Sequence, residues 1–335
     1  MPLYPLRFAP LFRRYLWGGR RLNSVLHKPI GPEPCAESWE IVDRGADQSL
    51  VINGPLAGTS LHELVVGHGP ALLGLHHPQP RFPLLFKLID ADQVLSVQVH
   101  PDDARAAQMS PPDLGKTEAW VVLAAEPQSA IYAGLKRGFD RAAFAREVHR
   151  GTCELCLHRF EPRAGDCIFI PAGTVHALGA GVLIAEIQQA SDATLRLFDW
   201  NRVGADGRPR ALHVAEALEA IDDTAGPIAP LRAAQPRPAG VERLVACDKF
   251  ILDRQTLKSE SLASGSALAT PLRPTTLGGD GRCHIIAIVA GQASIEHPEL
   301  PPVLGPGEVV LLPADSPRLI ATTDAAATLL DAYLP

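Results

Sequence analysis

Residues 165–181 read GDCIFIPAGTVHALGAG. A Gly-acid pair opens the stretch, the apolar run Cys-Ile-Phe-Ile follows, and Pro171 and Gly173 shape a turn that delivers His176. A short apolar run between such punctuators reads as a β-strand flanked by turns. The unit recurs: Gly307-Glu308, four residues, then Pro313 repeats Gly165-Asp166, four residues, then Pro171. Eleven residues after each glycine stands His176 in the first copy and Arg318 in the second. Two copies of one β-unit, one armed with a histidine and one not, is the simplest reading.

Working outward, LSVQVHPDD (95–103) and GKTEAWVVL (115–123) show strand alternation. Residues two apart share a face of a strand. Ser96, Gln98 and His100 therefore line one surface, with Leu95, Val97 and Val99 packed on the other. The same parity pairs Lys116 with Glu118. Glutamine, histidine and glutamate are competent metal ligands, and imidazole with carboxylate suits Zn²⁺. The surplus positive charge of such a site favours an anionic substrate or intermediate. Against this stands the plain reading of a structural histidine and a solvated polar face.

The rest of the chain supports a mainly β protein. With 28 glycines and 31 prolines in 335 residues, long helical bundles are disfavoured. Helical spacing marks Leu61–Leu75 behind the N-cap Ser60, Phe139–Arg150 before Gly151, and Ala211–Ile221, and Asp102–Met109 reads as a short helix after Pro101. Strands are expected at Glu37–Val42, Leu84–Asp90, Leu95–His100, Thr117–Ala124 and Ala130–Gly134, then over residues 152–202. Residues 225–240, rich in proline and alanine, read as a linker, and short strands fill the remainder. The domains expected are 1–224, a linker over 225–242, and 243–335.

A composition with 46% hydrophobic and 20% charged residues is that of a folded globular chain. The net charge of −6 argues against a nucleic-acid binder. No apolar run approaches the roughly 20 residues of a membrane span, and the N-terminus lacks a signal-peptide core. A cytoplasmic location is expected, with no membrane partner. The six cysteines are irregularly spaced and read as reduced thiols, and Cys153-Glu154-Leu155-Cys156 is a lone CxxC in what reads as strand.

The strand-PxGxxH segment resembles the second signature of the cupin superfamily. More specifically, FPLLFKLIDADQVLSVQVHPDD (82–103), GKTEAWVVL (115–123), IFIPAGTVHALGAGVLIAEIQQASDATLRLFDWNR (168–202) and RPRALHVAEAL (208–218) resemble type I mannose-6-phosphate isomerases in their short bacterial form. WGG at 17–19, ESWEI at 37–41 and NGPLAGTSLHEL at 53–64 fit as well. The resemblance covers about residues 1–222. It implies two cupin-like antiparallel β-barrels, or jelly rolls, the first carrying inserted α-helices and the second free of metal.

The resemblance further implies that Gln98, His100, Glu118 and His176 bind one Zn²⁺, a set that also accepts other divalent metals. Arg196 stands where the family has its catalytic arginine. Ser96 and Lys116 match positions that hold the sugar phosphate, and Glu186 and Asp192 lie in motifs lining the pocket. Trp17 and Lys87 fall in family motifs without an assignable role. The implied reaction interconverts mannose 6-phosphate and fructose 6-phosphate through an enediolate. A metal ion and a guanidinium suit the negative charge that develops on oxygen. Lys116, Glu186 and a metal-bound water all remain arguable as the base. Other aldoses or aldose phosphates, a non-catalytic sugar-binding cupin and a metal oxygenase are the competing readings. The small-molecule partner is a sugar phosphate, and the oligomeric state is open.

Overall fold

The computed structural model describes residues 2–204, 207–222, 224–232, 240–259 and 275–335. The described chain is mainly β and its strand pairings are antiparallel. A six-stranded sheet runs in the order Cys167–Ile170, Glu118–Ala125, Val182–Gln189, Leu84–Ala91, Glu37–Ile41, Leu11–Arg13. A five-stranded sheet runs Leu157–Phe160, Ile131–Leu135, His176–Leu178, Val97–Val99, Leu195–Phe198. A second five-stranded sheet runs Gly240–Ala246, Ile251–Lys258, Ala326–Tyr333, His284–Gly291, Val309–Leu312. A three-stranded sheet of Thr275–Leu277, Leu319–Thr322 and Ser294–Ile295 accompanies it.

Strand parity shows how these sheets stack. In the six-stranded sheet Ile89, Trp120, Val122, Ile168 and Ile184 pack with Ile131, Ala133 and Leu178 of the first five-stranded sheet. The alternate residues Phe86, Leu88, Ala119, Val121, Ala185 and Ile187 pack instead with Leu252, Ile285, Leu311 and Leu330 from the C-terminal sheet. The opposite face of that C-terminal sheet, through Ile286, Ile288, Val310 and Leu329, meets Leu277, Ile295 and Leu319 of the three-stranded sheet. The six-stranded sheet is thus covered on both faces. This explains why Leu84–Ala91 and Val182–Gln189 are buried at every position and read as apolar runs rather than alternations.

The helices sit where spacing placed them, with shorter ends. Leu61–Leu73 starts at Ser60, whose hydroxyl accepts from the Glu63 amide while Glu63 accepts from the Ser60 amide, closing a capping box. It stops at Gly74, whose φ of 52° is left-handed and whose Cα lies so near Gly281 that an added Cβ would stand 2.2 Å from that carbonyl oxygen. Arg141–Arg150 is capped by Asp140 and ends at left-handed Gly151. The third helix is confined to Val214–Ala220, with His213 at its N-cap.

Two local expectations change. Cys153–Cys156 forms a 3₁₀ turn rather than strand, because Gly151 reverses the chain and the Leu155 amide bonds back to Thr152. Both cysteines are buried and free, and burial first of all pushes the Cys153 thiol up to about 12, which disfavours its thiolate. In the Pro-rich segment Leu231 exchanges both backbone hydrogen bonds with Cys167, so that part lies against the six-stranded sheet. Residues 233–239 of the expected linker fall outside the described residues.

The internal repeat is structural. Cys167–Ile170 begins two residues after Gly165, and Val309–Leu312 begins two residues after Gly307, with φ of 92° and 88° at the glycines. His176 is fully buried in the first copy, whereas Arg318 is exposed in the second. Among the described residues no helix is long and apolar enough to cross a membrane.

Candidate active site

The site lies between the first five-stranded sheet and the six-stranded sheet. On the first, register sets His176 opposite Gln98 and Gln98 opposite Arg196. On the second, Glu186 is flanked by Lys87 on one neighbour and Trp120 on the other, and Lys87 is in turn opposite Trp39. Two polar rows therefore face each other across a cavity of about 300 Å³. Its lining includes Ser96, Gln98, Lys116, Glu118, His176, Glu186, Asp192 and Arg196. His100 stands just behind, within the same cluster of donor atoms.

His100, Glu118 and His176 bring one donor atom each to within 4.8 Å of one another, and all three side chains are about 1% exposed. His100 Nδ1 donates to the Ala193 carbonyl at 2.8 Å and His176 Nδ1 to the Thr174 carbonyl at 2.9 Å. Those bonds fix the tautomer and leave each Nε2 lone pair pointing inward. Nε2 of His100 lies 3.4 Å and Nε2 of His176 3.5 Å from the Glu118 carboxylate. Neither carboxylate oxygen receives a hydrogen bond, although Lys116 Nζ makes an ion-pair contact at 2.8 Å. Lys116 also donates to His100 Nε2 at 3.0 Å, and the Gln98 amide nitrogen lies 3.3 Å from His176 Nε2. Converging lone pairs with buried, undonated carboxylate oxygens are what a divalent cation requires, so the donor set fits a metal.

Electrostatics separate the acids. Burial opposes ionisation of Glu118, but Lys116 and the two histidines outweigh it and hold the carboxyl well below its ordinary range. Burial pushes both imidazoles down, His176 to about 3. Glu186 goes the other way: burial and then the charge of Glu118 raise it to about 7. Trp120 Nε1 donates to Glu186 Oε1 at 2.9 Å, whereas Oε2 accepts no hydrogen bond. Lys87 Nζ stands 3.5 Å from that Oε2 and 3.6 Å from Glu37, and lies over the Trp39 ring at 4.7 Å. Burial disfavours the Lys87 charge, but Glu37 and Glu186 outweigh it and keep it protonated.

The outer end of the cavity is more exposed and basic. Arg196 donates through Nε to Ser96 Oγ at 3.2 Å and through Nη1 to the Ala211 carbonyl. Ser96 passes the chain on to Gln98 Oε1 at 3.2 Å. Arg210 joins the lining beside Tyr15, Asp192 and Thr194. Burial and then the charge of Arg210 lower the pKa of Arg196.

All nine residues singled out from the sequence fall in or against this one site. Sequence reasoning missed Tyr15, Glu37, Trp120 and Arg210 as lining residues, and left Trp17 and Lys87 without a role. ESWEI and the RPR run carried the signal for Glu37 and Arg210, but nothing local says that they meet. His213 Nδ1 accepts from the Arg196 amide, and the His213 amide donates to the Arg196 carbonyl.

The comparisons agree with this geometry. Residues 6–131 match the family profile for phosphomannose isomerase type I, catalytic domain. The mannose-6-phosphate isomerase ManA of Bacillus subtilis (strain 168) is 37% identical over 222 residues, 66% of this chain and 69% of that protein. The chain belongs to the type I phosphomannose isomerases. It is an isomerase. A further family member, the mannose-6-phosphate isomerase of Streptococcus mutans serotype c, is 36% identical over 65% of this chain and 67% of its own length. The crystal structure of the mannose 6-phosphate isomerase from Bacillus subtilis superposes with a TM-score of 0.86 at 27% identity, covering 99% of this chain and 100% of that one. The match to the family profile stops at residue 131, whereas the likeness in fold covers 99% of the chain.

Proposed function

We propose that this isomerase interconverts mannose 6-phosphate and fructose 6-phosphate, moving a proton between C1 and C2 through an enediolate. One observation carries the reading. A single cavity holds a buried metal-type donor set at its inner end and arginines at its outer end, with a free carboxylate oxygen between two sheets. Mannose-6-phosphate isomerase is the name the relatives carry.

Gln98, His100, Glu118 and His176 would hold the ion, which we take to be Zn²⁺. A bound divalent ion would act as a Lewis acid toward the sugar oxygens at C1 and C2. Gln98 would present its amide oxygen after a half-turn of the amide, which exchanges its nitrogen and oxygen positions. Glu186 is our choice for the base. Its Oε2 is buried and undonated while Trp120 fixes the other oxygen, so Oε2 is aimed for proton abstraction and return. A value near 7 lets it do both. Arg196 stays charged and, tied to Gln98 through Ser96, faces the oxygen on which charge develops. Lys116 sits against His100 and Glu118, so we place it at the reacting end rather than on the phosphate. Ser96, Asp192 and Arg210 would contact the substrate toward the mouth.

We also read the two pairs of sheets as two cupin-type β-barrels, over residues 1–224 and 240–335, the strand Gly240–Ala246 beginning inside the linker expected over 225–242. The matching glycine-to-strand offsets at Gly165 and Gly307 support a common unit.

A coupled assay for fructose 6-phosphate formed from mannose 6-phosphate tests the proposal, run on the protein as purified, after chelation and after Zn²⁺ is restored. Turnover lost on chelation and regained with zinc supports site and reaction together. Absence of turnover with zinc bound would overturn the named substrate.

A further inference from the structure

Beside the cavity mouth two arginines, Arg202 and Arg210, clasp one carboxylate, and Arg210 lines the cavity together with Arg196. Asp199, 7% exposed in its side chain, accepts from Arg210 Nε at 2.7 Å through Oδ2 and from Arg210 Nη2 through Oδ1. Its Oδ1 also accepts from Arg202 Nη2. A forked pair of this kind sets the plane of a guanidinium as well as its distance. Arg196 feels the positive charge of both Arg210 and Arg202 and the negative charge of Asp199. Counting Asp192 of the lining with Asp199, three guanidinium charges less two carboxylates leave a local charge of 3 − 2 = +1.

The chain bends sharply to build this arrangement. Trp200 and Asn201, neither of them glycine, take left-handed φ values of 55° and 56° in succession. Left-handed backbone at such residues costs energy and persists where the surroundings over-determine it. Here the surroundings do: Trp200 Nε1 donates to the Leu95 carbonyl at 2.7 Å, and Arg202 Nη1 to the Val94 carbonyl at 2.5 Å. The bend is thereby pinned to the residues just before Ser96, which itself accepts from Arg196. A bridge between Val203 and Pro209 then returns the chain so that Arg210 meets Asp199.

We propose that Asp199 is a positioning residue for an anion subsite: by its forked pairing it aims Arg210 into the cavity beside Arg196, and so governs affinity for a phosphate monoester dianion without touching it. The inference deepens the function proposed above and rests on it for the identity of the sugar phosphate, but not for the anion subsite itself. It makes a sign prediction that simple charge counting contradicts. Neutralising Asp199 raises the local charge, which by Coulomb attraction alone tightens anion binding. Loss of aim weakens it.

The test uses zinc-loaded protein and inorganic phosphate as the probe, with Kd measured by titration calorimetry and inhibition constants measured against mannose 6-phosphate. For Asp199→Asn, Kd for phosphate and KM for the sugar phosphate are expected to rise together by about tenfold, with kcat within about twofold, since a charge-assisted fork is lost at a point away from the reacting carbons. Arg210→Lys keeps the charge and loses the fork, and is expected to show the same rise, which covers the case in which Asp199→Asn does not fold. Asp199→Glu is expected to recover part of the affinity. Phosphate binding that is unchanged or tighter in Asp199→Asn, or in Arg210→Lys should the first variant not fold, would overturn the proposal. Phosphate that binds the wild type and weakens in the variants, in a protein that does not turn over mannose 6-phosphate, would leave the subsite standing and remove the substrate named above.

Discussion

The indole Nε1 of Trp120 donates to Glu186 Oε1 at 2.9 Å and leaves Oε2 of the same carboxylate buried without a donor. Register makes the pair: the two residues lie directly opposite each other on neighbouring strands. An acid so held is pre-aimed. With its carboxyl raised to about 7, Glu186 as a base must lose its proton to act, so kcat is expected to fall as pH drops below about 7. Glu186→Gln is expected to lower kcat by about 10²–10⁴-fold and to erase that acidic limb. A pH–rate profile on both proteins checks this, and an unchanged limb in the variant would assign it to another group.

Arg196 is held at two points, by Ser96 Oγ and the Ala211 carbonyl, and its backbone is bracketed by His213. A guanidinium that needs no reorganisation is effective against developing oxyanion charge. Arg196→Ala is expected to lower kcat by about 10²–10³-fold while metal content is unchanged. Steady-state kinetics alongside metal analysis measures it. A loss confined to KM would place Arg196 in binding alone.

The buried donor set predicts metal-linked stability. Because a ligand that binds the folded chain stabilises it by mass action, chelation is expected to lower the melting temperature, by the equivalent of about 2.7 kcal/mol when free metal stands at 100 times Kd. His176→Ala is expected to melt at the same temperature with and without added Zn²⁺. A melting curve for that variant that still responds to zinc would point to a different site.

Far from the cavity, His284 is a buried ion-pair centre. Its Nδ1 meets Asp331 at 2.7 Å and its Nε2 meets Asp280 at 3.0 Å, and its ring lies on Tyr333. Burial opposes the charge, but the two carboxylates outweigh it and hold the imidazole above its ordinary value. The sign follows. A raised folded value contributes stability that is complete below the unfolded value of about 6.5 and is lost as pH rises through the folded one. His284→Gln is expected to cost about 1–3 kcal/mol at pH 6 and less at pH 9. Denaturant titrations at the two pH values compare them; a cost that grows with pH would contradict the assignment.

Much of this was legible in one dimension. Parity in 95–103 and 115–123 placed Ser96, Gln98, Lys116 and Glu118 on one side of their strands, and all four line the cavity. Leu95 departs from that parity and lines it too, because the regular strand begins only at Val97. Ser60 and Gly151 marked helix ends where they occur. The CELC segment misled because a 3₁₀ turn has no periodic signature over four residues.

What the sequence by itself determined was local: which segments are strands, which side chains share a face, where turns must fall, and which donors are chemically able to hold a metal. These follow from backbone geometry and side-chain period, which act over a few residues. The tertiary structure decided which faces meet. Lys87, Glu37 and Trp120 carry no local sign of a shared site and come to line one cavity when strands distant in sequence align in register. Arg210 becomes part of the cavity when a strained bend returns it to Asp199. The double burial of the six-stranded sheet likewise depends on a C-terminal sheet packing behind it. Such contacts are set by register and layer stacking, which long-range burial of apolar surface selects and no local pattern encodes.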